Sequence, residues 1–233
     1  MPSRTTSCLI LADEYSSTSF ARERNDKRAT DLLKYACEGG VAYGCARFGW
    51  HQKNGYGVKQ DLDTASQTFE TFCEKGDQYS CVNLGMHYQD SIDGTRDLAK
   101  SLRLFDVACK AGNGWGCSRQ AVLFRDGIGV EKNERESFRL FQKACDLGSK
   151  WSCQRIGQSW RDSLGVERDE LKAFAHFESY CKKGDVDSCT YMGYSIEKGL
   201  GVPLDLAKAA RISSRFMPRC RATAMPDNAF ETL

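Results

Sequence analysis

The stretch CDLGSKWSC, residues 145–153, places two cysteines eight positions apart on either side of a glycine. Four other stretches have the same spacing, and the first cysteines of successive pairs lie 36 residues apart. The five pairs are Cys37/Cys45, Cys73/Cys81, Cys109/Cys117, Cys145/Cys153 and Cys181/Cys189. A period of this length, held over five pairs, is typical of stacked supersecondary units. The cysteine pairs therefore define a repeat of 36 residues, and equivalent positions of successive repeats can be compared.

The residues that follow the second cysteine of each pair have the spacing of an amphipathic helix, which we name helix A. Counted from this cysteine as position 0, repeats begin near residues 8, 45, 81, 117, 153 and 189. A small residue stands at position +4 and a large one at +7 in most repeats, as with Gly85 and Tyr88. Positions 0, 3, 4 and 7 share one face of a helix, and the small residue allows a neighbouring helix to come close.

A glycine-containing turn and a second helix, helix B, complete each repeat. The turn reads Gly-x-Gly-Val at residues 55–58, 127–130 and 199–202. Residues that suit a helix N-cap follow the turn at Asp61, Asp97, Asn133, Asp169 and Asp205. Helix B is predicted to stop at Gly76, Gly112, Gly148 or Gly184, and the next polar residue can cap the following helix A. The sequence thus predicts an all-α fold, a right-handed α/α solenoid of about six helix-turn-helix repeats. We expect one array over residues 1–233, with a C-terminal cap from about residue 218.

Several motifs make the sequence similar to the Sel1-like repeat family, a relative of the tetratricopeptide repeat. They are Leu84-Gly85…Tyr88, Gly127-Ile128-Gly129-Val130 and Ala173…Phe177…Cys181…Gly184…Cys189. The paired cysteines resemble those of the cysteine-rich Sel1 group, which includes the Helicobacter cysteine-rich proteins and a mitochondrial respiratory-chain assembly factor. The resemblance covers about residues 8–217 and implies the fold rather than an activity.

The paired cysteines are open to several kinds of chemistry. The first ends helix B and the second lies in the first turn of the next helix A, so facing helices can bring them within disulfide range. Zinc needs four ligands, whereas each pair offers two, and the Cys-x-x-Cys motif of redox catalysts does not occur. We predict disulfides between the members of all five pairs, with no metal and no cofactor; reduced core thiols remain the alternative. Cys8 and Cys220 have no cysteine at the eight-residue spacing, and the sequence does not decide whether they are free thiols or bonded.

Composition limits the partners and the compartment. A formal net charge of +2 gives no general case for nucleic acid, and no apolar run approaches the roughly 20 residues of a membrane span. The N-terminal sequence has too short an apolar stretch for a signal peptide. Disulfides nevertheless favour an oxidising compartment. We expect the periplasm, the extracellular space or the mitochondrial intermembrane space, with the cytoplasm and reduced thiols as the alternative.

Two Ser-x-x-Lys matches, Ser179…Lys182 and Ser195…Lys198, are candidates for serine chemistry. Some cysteine-rich Sel1 relatives are classed as β-lactamases, so the resemblance implies β-lactam binding or hydrolysis as an alternative function. That chemistry also needs a second polar motif and an oxyanion hole, and neither Ser-Asp-Asn nor Lys-Thr-Gly follows. No catalytic residue is therefore predicted. His51 and His87 share one repeat position, and we expect these two side chains to line a groove.

The face of helix A opposite the core carries a second pattern. Positions −2, +2 and +5 lie about 180° from the core positions, because a helix advances by about 100° per residue. In place of polar residues they hold aromatic residues and arginines, which are enriched at binding hot spots; Asp187 interrupts the aromatic row at −2, and Tyr194 continues the row at +5. We predict a ligand groove lined by Tyr43, Arg47, Trp50, Tyr79, Met86, Trp115, Arg119, Trp151 and Arg155.

The function predicted from this pattern is that of a non-catalytic scaffold. Repeat arrays of this kind present a long concave face, and the rings and arginines on that face suit a protein or an extended peptide with an acidic group. The alternative interpretation is that the rings pack against adjacent A helices and bind nothing. Exposure of the rings distinguishes the two interpretations.

Overall fold

The computed structural model describes residues 4–16, 25–90 and 96–216, and these residues form twelve α-helices and no β-strand. The helices are Arg4–Ser16 (α1), Asp26–Glu38 (α2), Ala42–Asn54 (α3), Leu62–Glu74 (α4), Gln78–Asp90 (α5), Leu98–Lys110 (α6), Gly114–Asp126 (α7), Glu134–Asp146 (α8), Lys150–Asp162 (α9), Glu170–Lys182 (α10), Val186–Lys198 (α11) and Leu206–Phe216 (α12). Odd-numbered helices are A helices and even-numbered helices are B helices. The alternation confirms the predicted repeat of helix, turn and helix.

Side-chain caps fix where the B helices begin. The carboxylates of Asp61, Asp97 and Asp169 each accept a hydrogen bond from the backbone N–H three residues later, at 2.8–2.9 Å. The bond from the Thr64 amide holds the pKa of Asp61 below its ordinary value. Because such a cap satisfies a backbone donor that has no partner within the helix, the chain turns into a helix at these positions, as predicted.

Phenylalanines on the B helices form the centre of the core. Phe69, Phe105, Phe141 and Phe177 are at most 2% exposed. The small residue predicted at position +4 of helix A lies against this ring. A Cβ atom on Gly157, for example, would stand 2.4 Å from Cε1 of Phe177, which is well inside van der Waals contact. Burial of a phenylalanine side chain contributes about 1.5–3 kcal/mol, so the four rings are a main source of stability.

Five disulfides join neighbouring repeats, as the cysteine spacing predicted. They link Cys37–Cys45, Cys73–Cys81, Cys109–Cys117, Cys145–Cys153 and Cys181–Cys189, with Cα atoms 4.4–4.7 Å apart. Each bond ties the last turn of one B helix to the first turn of the next A helix. Within the described residues, Cys8 is the one cysteine outside a disulfide, and Cys220 lies beyond those residues.

The chain divides into two compact units. The N-terminal unit comprises residues 1–133 and 146–148, and the C-terminal unit comprises residues 134–145 and 149–233. The N-terminal unit contains a buried cluster of Cys81, Val82, Phe105, Ala108 and Leu123. The C-terminal unit contains a buried cluster of Ala173, Phe177, Cys181, Cys189, Met192, Ile196 and Ala209. Each unit thus has an apolar core of its own, built from facing A and B helices.

Replacing Ser163 by glycine is expected to stabilise the protein. Ser163 ends α9 in the left-handed conformation, with φ 61° and ψ 35°, where α3, α7 and α11 have a glycine. Glycine removes the steric penalty of this conformation but gains freedom in the unfolded chain. We therefore expect a net gain of about 0.5–1 kcal/mol and a melting temperature higher by about 1–4 °C. Ser163→Ala is the matched control, because alanine keeps the penalty; an equal rise for both variants would refute the explanation.

Candidate functional site

Exposed aromatic rings mark the start of the A helices in the N-terminal unit. Tyr43, Tyr79 and Trp115 are the second residues of α3, α5 and α7, and they are 39–44% exposed. The rings of Tyr43 and Tyr79 meet edge to face, with centroids 4.9 Å apart, so neighbouring repeats contribute to one surface. Partial burial raises the pKa of the Tyr43 hydroxyl. Tyr43 and Tyr79 thus contact each other, and all three rings remain partly exposed.

The two arginines predicted in the N-terminal unit have different partners. Arg47 forms an ion pair with the carboxylate of Asp13, which neutralises its charge. Nη2 of Arg119 donates a hydrogen bond to Oε1 of Gln89 at 2.8 Å, and that amide is neutral. Burial lowers the pKa of Arg119, yet an arginine keeps its proton at any physiological pH. Arg119 is therefore the stronger candidate to attract an acidic group.

Trp50 and Met86, predicted at position +5, are only partly exposed. The Lys53 ammonium lies 5.9 Å from the centre of the Trp50 ring, and Met86 packs against the core cluster around Phe105. Met86 thus contributes to the core as well as to the surface. The predicted row of anchors is clearest at position −2.

A groove of about 920 Å³ lies in the C-terminal unit and includes two of the predicted site residues, Trp151 and Arg155. We name it the C-terminal groove. It lies between α9 and α11, the A helices of two successive repeats, and the turns that follow them. It is lined by Trp151, Gln154, Arg155, Arg161, Asp162, Ser163, Arg168, Asp187, Thr190, Tyr191, Tyr194 and Leu200.

The side chains of the C-terminal groove hold one another in place. The Arg155 guanidinium lies 4.7 Å from the centre of the Trp151 ring, and its Nη1 donates to Oε1 of Gln158 at 2.7 Å. The Gln158 amide donates in turn to the Tyr191 hydroxyl. Arg161 lies 5.5 Å from the centre of the Tyr191 ring. The rings of Trp151 and Tyr191 thus each lie beside a guanidinium group, an arrangement that favours cation–π attraction.

The Trp151 ring packs against the apolar core of the C-terminal unit. Its ring meets the buried ring of Phe141 edge to face, with centroids 5.5 Å apart, and remains 39% exposed. Arg161 is also fixed, because two hydrogen bonds to the Asp162 carboxylate, at 2.6 and 2.7 Å, raise its pKa. The groove therefore combines an immobilised apolar ring, Trp151, with an immobilised charged pair, Arg161 and Asp162.

Several lining residues were missed by the sequence prediction. Tyr191 occupies position +2, the row of Arg47, Arg119 and Arg155, and following that row into the next repeat would have found it. Arg161 and Arg168 stand outside the three rows, so no spacing signal marked them. They reach the groove because α9 and the turn after it lie beside α11.

The histidine prediction is wrong. His51 and His87 are each 4% exposed and therefore do not line an open groove. Nδ1 of His51 lies 2.7 Å from the hydroxyl of Thr30 on α2, which shows that position +6 of α3 faces the preceding B helix. That position is about 110° from the core centre at 100° per residue, and packing of the preceding helix covers it.

The Ser-x-x-Lys matches lack the geometry of an activated serine. Ser195 is buried, and its hydroxyl donates to the carbonyl oxygen of Tyr191 at 3.0 Å. Lys182 pairs with Glu178 at 3.0 Å and Lys198 with Glu197 at 3.2 Å, so both lysines are engaged with glutamates.

The described part of the chain holds no group of three or more potential metal ligands. Among the helices at 4–16, 25–90 and 96–216, none is long and apolar enough to cross a membrane.

Comparison with known proteins gives the family. The Sel1 repeat model matches the chain six times, at residues 7–41, 42–76, 78–113, 117–149, 152–185 and 186–212. The chain therefore belongs to the Sel1 repeat family, and its fold is the Sel1 repeat solenoid, as the sequence motifs predicted. Such a scaffold is consistent with a protein-binding role. A search of curated proteins found no match.

Solved structures share this fold. The chain is similar to c5321, a protective antigen present in uropathogenic Escherichia coli strains, at 24% identity and a TM-score of 0.72, covering 91% of this chain and 45% of that one. It thus spans less than half of that antigen. It is also similar to a Sel1 repeat protein from Oxalobacter formigenes, at 18% identity and a TM-score of 0.70, covering 89% of this chain and 85% of that one. Cysteine rich protein B of Helicobacter pylori matches at 27% identity and a TM-score of 0.45, covering 57% of this chain and 95% of that one. At these identities the first two likenesses establish the fold alone.

Proposed function

We propose that the chain is a scaffold without catalytic activity of its own, which binds an extended segment of another protein in the C-terminal groove. The observation that carries this proposal is a connected set of side chains in the groove. Arg155 lies beside the Trp151 ring, and Gln158 links Arg155 to the Tyr191 hydroxyl, so these groups are already ordered by their neighbours. Because these side chains are held in place by the protein itself, binding loses little side-chain entropy.

The lining of the C-terminal groove specifies the kind of segment. The exposed face of Trp151 suits an apolar side chain, since buried tryptophans are common anchors at interfaces. The guanidinium of Arg155 lies directly beside that ring and matches the geometry of a carboxylate. We therefore expect an apolar residue with an acidic neighbour. The groove volume of about 920 Å³ lies at the upper end of ligand sites, which favours several residues of an extended chain.

The N-terminal unit carries similar chemistry on the same positions of its A helices. Tyr43, Tyr79 and Trp115 supply exposed rings, and Arg119 supplies a guanidinium that is hydrogen-bonded to the neutral amide of Gln89. We propose this surface as a second contact area for protein segments of the same kind.

The five disulfides indicate an oxidising compartment, because such bonds rarely persist in reducing cytosol. We propose that the protein works in the periplasm, in the extracellular space or in the mitochondrial intermembrane space. Binding experiments should accordingly be carried out with the disulfides intact.

Replacing Trp151 by alanine is expected to weaken peptide binding by about five- to thirtyfold. A buried aromatic anchor contributes about 1–2 kcal/mol or more to an interface. Peptides would first be selected by the intact protein from a random 12-residue phage library. Their dissociation constants would then be measured by fluorescence anisotropy for the parent and for Trp151→Ala.

The matched control is Leu171→Ala. Leu171 lies in the same unit, is 67% exposed and does not line the C-terminal groove. It should leave the dissociation constants within twofold of the parent. If a folded Trp151→Ala protein binds every selected peptide as tightly as the parent, the proposed function is wrong.

A further inference from the structure

Asp187 occupies a position where α3, α5, α7 and α9 carry a ring. It is the second residue of α11, equivalent to Tyr43, Tyr79, Trp115 and Trp151. Its side chain is exposed and lines the C-terminal groove together with Trp151 and Arg155. The array thus replaces an apolar anchor by a carboxylate at one end of the groove.

The Asp187 carboxylate has a neutral hydrogen-bond partner within the groove. It accepts a hydrogen bond from Nε2 of Gln154 at 2.9 Å, and an amide leaves the charge uncompensated. No ion pair links Asp187 to another residue in the described ranges. The other acid of the groove, Asp162, is by contrast neutralised by Arg161 at 2.6 Å. The exposed negative charge of the groove is therefore concentrated at Asp187.

The repeat itself does not require an acid at this place. An acidic residue in the first turn favours a helix through the macrodipole, but α3, α5, α7 and α9 have none there. The start of α11 is already capped by Asp185, which accepts the backbone N–H of Ser188 at 2.9 Å. Stability of the helix thus gives no sufficient reason for Asp187.

We infer that Asp187 binds a lysine or arginine side chain of the partner segment, next to the apolar residue that lies on Trp151. This inference rests on the proposed function and adds a charge requirement to it. With Arg155 and Asp187 on opposite sides of the groove, on α9 and α11, the preferred segment carries an acidic residue, an apolar residue and a basic residue. A segment with two acidic residues would place one of them against Asp187 and bind less well.

Parallel selections from the random 12-residue phage library test the inference. The targets are the parent, Asp187→Asn and Asp187→Lys. The parent should enrich peptides with Lys or Arg at a constant distance from an apolar residue, Asp187→Asn should lose this preference, and Asp187→Lys should enrich Asp or Glu instead. Changing the basic residue of a parent-selected peptide to glutamine should weaken binding by about three- to fivefold to the parent, and by less than 1.5-fold to Asp187→Asn. A merely structural role of Asp187 would not depend on the charge of the peptide.

Two outcomes separate this inference from the proposed function. If the selected peptides lose affinity for Trp151→Ala but show the same lysine-to-glutamine loss on the parent and on Asp187→Asn, the role of Asp187 is refuted and the scaffold function stands. If no selected peptide depends on Trp151, the scaffold function fails and the inference fails with it. Circular dichroism of each variant confirms that the comparison is made on folded protein.

Discussion

Reducing all five disulfides is expected to lower the melting temperature of this protein by at least about 20 °C. Each bond closes a loop with a sequence separation of eight residues, which contributes about 2–3 kcal/mol in the loop-entropy picture. If the five terms add, the total is about 10–15 kcal/mol, as large as the whole unfolding free energy of a typical domain, about 5–15 kcal/mol.

Thermal unfolding followed by circular dichroism, with and without a phosphine reductant, measures this effect. Titration of free thiols should show ten more thiols after reduction, one for each bonded cysteine. A single pair provides the graded control: Cys109→Ala with Cys117→Ala should lower the unfolding free energy by only about 2–3 kcal/mol. A melting temperature that falls by less than 5 °C after verified reduction would mean that helix packing alone carries the stability.

The repeat could be predicted from the sequence because its signals are local. The cysteine period placed every joint between repeats, and N-cap residues such as Asp61 and Asp169 placed the helix starts. A cap acts within one turn of the chain and a disulfide within eight residues, so neither depends on how distant parts of the molecule pack. The glycine at position +4 also follows from the repeat, since α3, α5 and α9 each meet a buried phenylalanine of their own B helix at this position, as Gly157 meets Phe177.

The site was less predictable, because it depends on contacts between different repeats. Spacing identified Trp151 and Arg155 as outward-facing residues, but it could not show that Arg161 stacks on Tyr191, which lies 30 residues further along the chain. The wrong interpretation of His51 has the same origin. Its place on helix A is visible in the sequence, whereas the neighbouring Thr30 that buries it lies on the preceding helix.

The same dependence on neighbouring repeats explains the turn after α9. Gly165 follows α9 with φ +75°, and a Cβ atom there would lie 2.0 Å from the carbonyl oxygen of Glu134, the first residue of α8. The turn thus packs directly on the backbone at the start of the preceding B helix. Two separate penalties arise for any other residue at this position, one from the left-handed conformation and one from the contact with rigid backbone.

Replacing Gly165 by alanine is therefore expected to lower the unfolding free energy by about 2–5 kcal/mol. The left-handed conformation accounts for about 1–2 kcal/mol and forced overpacking for about 1–3 kcal/mol. Gly184→Ala isolates the first term, because Gly184 lies in the same unit with φ +87° and has no atom within 4 Å of an added Cβ. Urea unfolding at constant m-value should show a loss at Gly165 about twice that at Gly184. Equal losses at the two glycines would mean that the turn moves away from α8 freely, and that its contact with Glu134 does not hold the repeats together.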